Sequence, residues 1–139
     1  MKKATYFALL LCLFALLPVC ARNKKATNMK VSNVNIEDSI RLLFDYTLNG
    51  KAYDYTFLEF SSHYCVPCRR MESVVDSVRA TCPKVNIRFV DATNEANACW
   101  LDYFHIDIIP QQIVMDRQGK AIFLHKGYLP YNELVKHFK

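Results

Sequence analysis

Glycine is scarce in this 139-residue chain, which has only three, and no low-complexity tract or internal repeat interrupts it. That composition excludes a linker-rich or repetitive architecture and leaves a length suited to one domain. A strong charge imbalance is also missing. The formal net charge is +5, and removing Lys2 and Lys3 with a leader lowers it to +3, too weak and dispersed for a nucleic-acid surface. There is no second C-x-x-C pair of the kind a four-cysteine zinc site uses. Arg69 follows Cys68, so the C-x-x-C-H haem attachment pattern is absent too. What the chain does have is apolar mass. Hydrophobic residues make up 52% and aromatics 13%, enough for a core without disulfide staples.

The N-terminus reads as an export signal over residues 1–21. Lys2 and Lys3 form a charged start, Ala4 to Leu17 is an apolar run, and Pro18 breaks it. Val19 and Ala21 then place small residues for cleavage after Ala21. Two other readings stand beside cleavage. Leu17-Pro18-Val19-Cys20 loosely matches a lipoprotein box with Cys20 as the lipidated residue, and the apolar run, marginal in length for a span, could remain as an anchor. The expected location is therefore exported: periplasmic or secreted, with membrane contact only if the signal is retained or Cys20 is lipidated. Residues 22–35 are polar and read as a tether or a short first strand.

From residue 36 onward hydrophobic periodicity takes over. Asn35 is placed to cap a helix whose stripe is Ile36, Ile40, Leu43 and Phe44, ending at Asn49-Gly50. Tyr53 to Phe60 is an aromatic-rich strand. Met71, Val74, Val75 and Val78 fall at i, i+3, i+4, i+7, predicting a helix from Cys65 to Thr81, stopped by Pro83. Val85 to Asp91 alternates as a strand, and Glu95 to Phe104 reads as a short helix. Gln112 to Asp116 and Ala121 to His125 form a hairpin, and Pro130 opens a last helix with Tyr131, Leu134, Val135 and Phe138 on its buried face. Strands alternating with helices imply an α/β fold, a mixed central sheet with helices on both faces.

Cys65 and Cys68 therefore lie where a strand hands over to the first turn of a helix. Unpaired N–H groups and the positive end of the dipole stabilise a thiolate there. Cys65, which comes first, is the expected nucleophile, and Cys68, one turn in, the resolving thiol. Pro67 stiffens the turn between them. Glu59 sits inside an apolar strand between Leu58 and Phe60. If it points beneath the cysteines, desolvation raises its pKa and it can accept the Cys68 proton. Cys82 extends the apolar stripe and reads as a core thiol. The strand from Val85 carries the chain away from Cys82 before Cys99, which argues against a bond between those two and against a shared metal site. His63 reads as an exposed loop histidine.

At this point the chain resembles the thioredoxin superfamily over Ile36 to Lys139. Four features carry the resemblance: the C-x-P-C motif at the junction, Glu59-Phe60 before it, Ile109-Pro110 opening the penultimate strand, and the Asp116-Arg117-Gln118-Gly119-Lys120 turn followed by Gly127 and a last helix. The run Cys68-Arg69-Arg70-Met71-Glu72 and Asn49-Gly50-Lys51 look more like the exported branch, which includes the C-terminal domain of envelope disulfide interchange reductases. Tyr64, Glu59 and Gln111 depart from the usual tryptophan, aspartate and threonine. The resemblance implies a thioredoxin-like domain at 36–139 and thiol–disulfide exchange with protein substrates. It implies a cis Pro110 packed against the cysteine pair, and a substrate segment paired with the Ile109 backbone. Tyr64, Val66 and Pro67 would line the substrate groove. Reduction is the expected direction, by analogy with the Val66-Pro67 dipeptide, and a membrane electron donor is a candidate partner. No bound cofactor is implied, because the electrons reside in the cysteines. The competing reading is a non-enzymatic module that binds partners in the Ile109-Pro110 groove.

Overall fold

The computed structural model describes residues 35–139. The proposed signal and most of the proposed tether lie outside the described residues. Helix α1, Ile36–Phe44, begins as expected: the Asn35 side chain accepts the Glu37 N–H at 3.2 Å, and Glu37 and Asp38 occupy the first turn. It does not run on to Gly50. The chain breaks at Asp45, whose Oδ1 accepts the N–H groups of Thr47 at 3.0 Å and Leu48 at 3.2 Å and caps a second short helix, α2, Tyr46–Asn49. An aspartate competing for local backbone donors is the physical reason for the break. The break also turns Tyr46 inward, to 1% exposure.

Strand β1, Tyr55–Ser61, is followed by helix α3, Val66–Thr81, and strand β2, Val85–Asp91. A 3₁₀ turn, Glu95–Asn97, leads into helix α4, Ala98–Tyr103. Strands β3, Gln111–Met115, and β4, Ala121–Lys126, form the hairpin. Helix α5, Tyr131–Leu134, passes into a 3₁₀ turn, Val135–His137, so the last helix is shorter than its apolar spacing suggests. The hairpin turn needs its glycine. Gly119 has φ +76°, and a Cβ there would lie 3.3 Å from the Asp45 nitrogen.

The sheet order is β2-β1-β3-β4, with β1 and β2 parallel through the α3 crossover and the other neighbours antiparallel. This is the mixed α/β sheet the element pattern implies. Alternation along β1 sends successive side chains to opposite faces. Leu58 and Phe60 join Ile40, Phe44 and Tyr46 in one core, against which Trp100 and Phe104 of the α4 region pack. Phe57 joins Met71, Val74 and Val78 of α3 and Leu134 of α5 in the other. Glu59 shares the parity of Phe57, so it points to the α3 side. Cys82 is half-buried at the C-terminus of α3 rather than enclosed, Cys99 is exposed, and neither is bonded. Among the described residues no helix is long and apolar enough to cross a membrane, and no group of three or more His, Cys, Asp or Glu could hold a metal ion.

Candidate functional site

β1 ends at Ser61 and a tight loop carries the chain to Cys65. The Tyr64 N–H is donated to Ser62 Oγ at 3.3 Å and the Cys65 N–H to the Ser62 carbonyl at 3.1 Å. Cys65 is the N-cap of α3 with extended backbone, and its Sγ accepts the Cys68 N–H at 3.3 Å. The sulfur thus occupies the place a serine or aspartate oxygen takes at other helix starts. Pro67 sits in the first turn, where its missing N–H would have had no intrahelical partner. Cys65 and Cys68 are joined in a disulfide with Cα atoms 5.1 Å apart. Cys65 is half-exposed, whereas Cys68 is 2% exposed.

Across from the pair, the Ile109–Pro110 peptide is cis and Pro110 is buried. The Ile109 carbonyl oxygen lies 3.9 Å from Cys65 Sγ. The Gly127 N–H is donated to the Pro110 carbonyl at 2.7 Å, tying the loop after β4 to this turn. Among the described residues neither the N–H nor the carbonyl of Ile109 has a backbone partner. Tyr64 is 88% exposed and Val66 61% exposed, so both stand at the rim, beside exposed Pro67 and Ile108. His63 is exposed and stacks on Phe89, with ring centroids 5.5 Å apart. Arg69 and Arg70 are exposed, and the Arg70 guanidinium lies 4.4 Å over the Tyr128 ring.

Glu59 is 2% exposed. A cleft of about 440 Å³ between α3 and β2 is lined by Glu59 and Cys68 together with Ser61, Met71, Ile87 and Phe89. Burial pushes the Glu59 carboxyl up to about 8, against the opposing pull of an N–H from Gln112, which favours the ionised form. That contact, Gln112 Nε2 to Glu59 Oε1, is long at 3.5 Å. Glu59 and Gln112 are directly opposed across β1 and β3. The fold therefore gathers Cys65, Cys68, Glu59, Ile109 and Pro110 at one end of the sheet, with Tyr64, Val66 and Pro67 at its edge. Sequence reasoning missed Gln112, which it read only as the start of a strand. Two consecutive glutamines opening an otherwise apolar strand were the available signal.

A cysteine pair bonded across the first turn of a helix, on an α/β sheet of this topology, marks the protein as a thiol–disulfide oxidoreductase. Comparison with known proteins agrees with that class. The sequence model of the family described as Thioredoxin matches residues 36–139, and the chain belongs to that family. Among solved structures it is similar to a mutant thioredoxin from Halobacterium salinarum, at 18% identity over 68% of this chain and 77% of that one, with a TM-score of 0.57. It is similar to mitochondrial thioredoxin 3 from Saccharomyces cerevisiae in its oxidized form, at 17% identity over 72% and 85%, TM-score 0.57. A thioredoxin from Fasciola hepatica matches at 19% identity over 65% and 83%, TM-score 0.54. No curated protein matches in sequence. At these identities the structural likeness speaks to the fold.

Proposed function

We propose that the protein is an exported reductase of protein disulfides, with Cys65 attacking and Cys68 resolving. The observation that carries this reading is the asymmetry of the pair: a half-exposed Cys65 at the helix cap, its sulfur 3.9 Å from the Ile109 carbonyl oxygen, and a buried Cys68 one turn on. In the dithiol form the Cys65 thiolate attacks one sulfur of a substrate disulfide. The substrate S–S bond breaks, and the first substrate sulfur leaves as a thiolate and takes a proton. Cys68 gives its proton, through water admitted by the cleft, to the Glu59 carboxylate that the preceding recharging step left ionised. The Cys68 thiolate then attacks Cys65 Sγ, the mixed disulfide breaks, and the second substrate thiolate leaves. Two electrons pass from the dithiol to the substrate, and the Cys65–Cys68 disulfide remains.

Recharging runs the same steps backwards with a dithiol donor, for which a membrane electron donor is our candidate. With its carboxyl raised to about 8, Glu59 holds a proton at neutral pH and acts there as the acid that protonates departing Cys68. Ile109, whose N–H and carbonyl have no backbone partner among the described residues, would take an extended substrate segment by strand addition, while Tyr64, Val66 and Pro67 form the groove rim. Export is supported by the leader pattern from Lys2 to Ala21. The N-terminal residue of the mature chain tests it: Arg22 supports cleavage, lipidated Cys20 supports a lipid anchor, an intact Met1 in the membrane fraction supports a retained signal, and an intact Met1 in the cytoplasm contradicts export.

The activity test is reduction of a disulfide-bonded protein by the dithiol form, beside Cys65→Ser and Cys68→Ser. Wild-type turnover no faster than Cys65→Ser contradicts the proposal. For the direction, a reducing role predicts a potential of about −250 mV or lower, whereas about −120 mV would mark an oxidant.

A further inference from the structure

Four buried side-chain atoms among the described residues lack a hydrogen-bond partner: Glu59 Oε2, Gln112 Oε1 and both amide atoms of Gln111. Gln111 points to the other face. Glu59 and Gln112 share one face, oppose each other in register, and already touch through Gln112 Nε2 and Glu59 Oε1 at 3.5 Å. Both are almost fully enclosed. Unpartnered polar atoms in such a place are strongly unfavourable. The two orphans here are both acceptors, a carboxyl oxygen and an amide oxygen, so neither can satisfy the other while Glu59 is ionised. A proton on Glu59 Oε2 changes that. It supplies the donor Gln112 Oε1 lacks and gives Oε2 its missing partner.

No neighbouring charge removes the need for that proton. From α3 the cleft receives Cys68, Glu72, Asp76 and Arg79; from the preceding loop, His63; from β2 only Ile87 and Phe89. Arg79 is paired with Asp76 at 2.5 Å, His63 is stacked on Phe89, and no described cation forms a salt bridge with Glu59. We infer that Gln112 is a positioning residue for the Glu59 carboxyl. It clasps the protonated acid by two hydrogen bonds, Nε2–H to Oε1 and Oε2–H to Gln112 Oε1, and loses the second when Glu59 gives up its proton. The clasp fixes the plane of the carboxyl against β3 and opposes ionisation, so proton exchange with Cys68 is coupled to its opening. The role rests on reading Glu59 as the proton partner of Cys68.

Counted only as an N–H donor, Gln112 would favour the carboxylate; as a clasp it favours the acid. The two differ in sign and can be separated in the oxidised protein without any substrate. In wild type labelled at glutamine and glutamate side chains, NMR should show the Gln112 amide and the Glu59 carboxyl titrating at one midpoint. Glu59→Gln should abolish the Gln112 titration. In Gln112→Met, the infrared carbonyl stretch of protonated Glu59 should move to higher frequency. Its titration midpoint should fall by about one pH unit, a roughly tenfold weaker hold on the proton. A Gln112 amide that ignores the Glu59 titration in wild type overturns the clasp. So does a Gln112→Met midpoint that rises while the carbonyl stretch stays put. If Gln112→Met does not fold, Gln112→Leu is read by the same midpoint and carbonyl stretch, because a single N–H contact would also give the joint titration in wild type. Activity is scored separately: a protein that reduces no disulfide yet shows the joint titration and the lowered variant midpoint loses the proposed function and keeps the clasp.

Discussion

The two ends of the sheet treat buried polar groups in opposite ways. At the end away from the cysteines, Thr56 is wholly enclosed, yet its hydroxyl meets the Tyr46 hydroxyl, which also accepts an N–H from Asn86 at 2.8 Å. Nearby, Asp54 pairs with Lys84 at 3.1 Å and Arg117 at 2.9 Å. At the cysteine end, Glu59, Gln111 and Gln112 are just as enclosed and keep four atoms without partners. Both ends belong to the same strands, β1 and β3. The difference teaches where the molecule is built for stability and where it carries chemistry. A satisfied network holds one conformation. An under-satisfied carboxyl that shares a cleft with a buried cysteine suits the proton exchange proposed above.

The comparison sharpens under mutation, and the largest effect belongs to the cysteine end. Cys65→Ser should reduce disulfide reduction to background, measured by turnover of a protein disulfide, with folding intact by circular dichroism. Glu59→Gln comes next and should split function from stability. Its resolving and recharging rates should fall about a hundredfold, the usual range for losing a proton-transfer group. Its stability should rise. Glu59 binds its proton more tightly folded, near 8, than unfolded, near 4.5. Its contribution is therefore fully present below about pH 4.5 and is lost as pH rises through about 8. Near pH 7 a neutral glutamine avoids a penalty of about 3 kcal/mol, from the size of the shift. Urea unfolding of both proteins between pH 4 and 9 reads this as curves that meet in acid and diverge toward pH 8.

Thr56→Val probes the other end. Removing one partner from an enclosed network should cost about 1–2 kcal/mol in urea unfolding and leave turnover unchanged. A fall in turnover without loss of stability would erase the contrast between the ends. The smallest effect is expected at the rim. Tyr64→Ala, at a side chain 88% exposed, should change stability by less than about 0.5 kcal/mol while raising KM for a protein disulfide.

Part of the cysteine end was legible in the sequence. The stripe Met71, Val74, Val78 placed α3, and the apolar neighbours Leu58 and Phe60 marked Glu59 as a candidate for burial beneath the cysteines. Both follow from periodicity, which is local. Three features were not legible. The break at Asp45 depends on a carboxylate outcompeting helix continuation for two backbone N–H groups. The last helix gives way to a 3₁₀ turn after Leu134 although its apolar spacing continues to Phe138. The third is the opposition of Gln112 to Glu59, a matter of strand register between segments 53 residues apart. Register is set by turns and packing elsewhere, so neither residue announces the other.

The central claim is that the cysteine end carries out exchange through Cys65, with Cys68 completing it. Cys68→Ser, reduced and then mixed with a disulfide-bonded protein, should stop at a mixed disulfide. Mass spectrometry of its peptides should place the adduct on Cys65. An adduct on Cys82 or Cys99 instead, or no adduct while wild-type protein still turns over, would contradict the account.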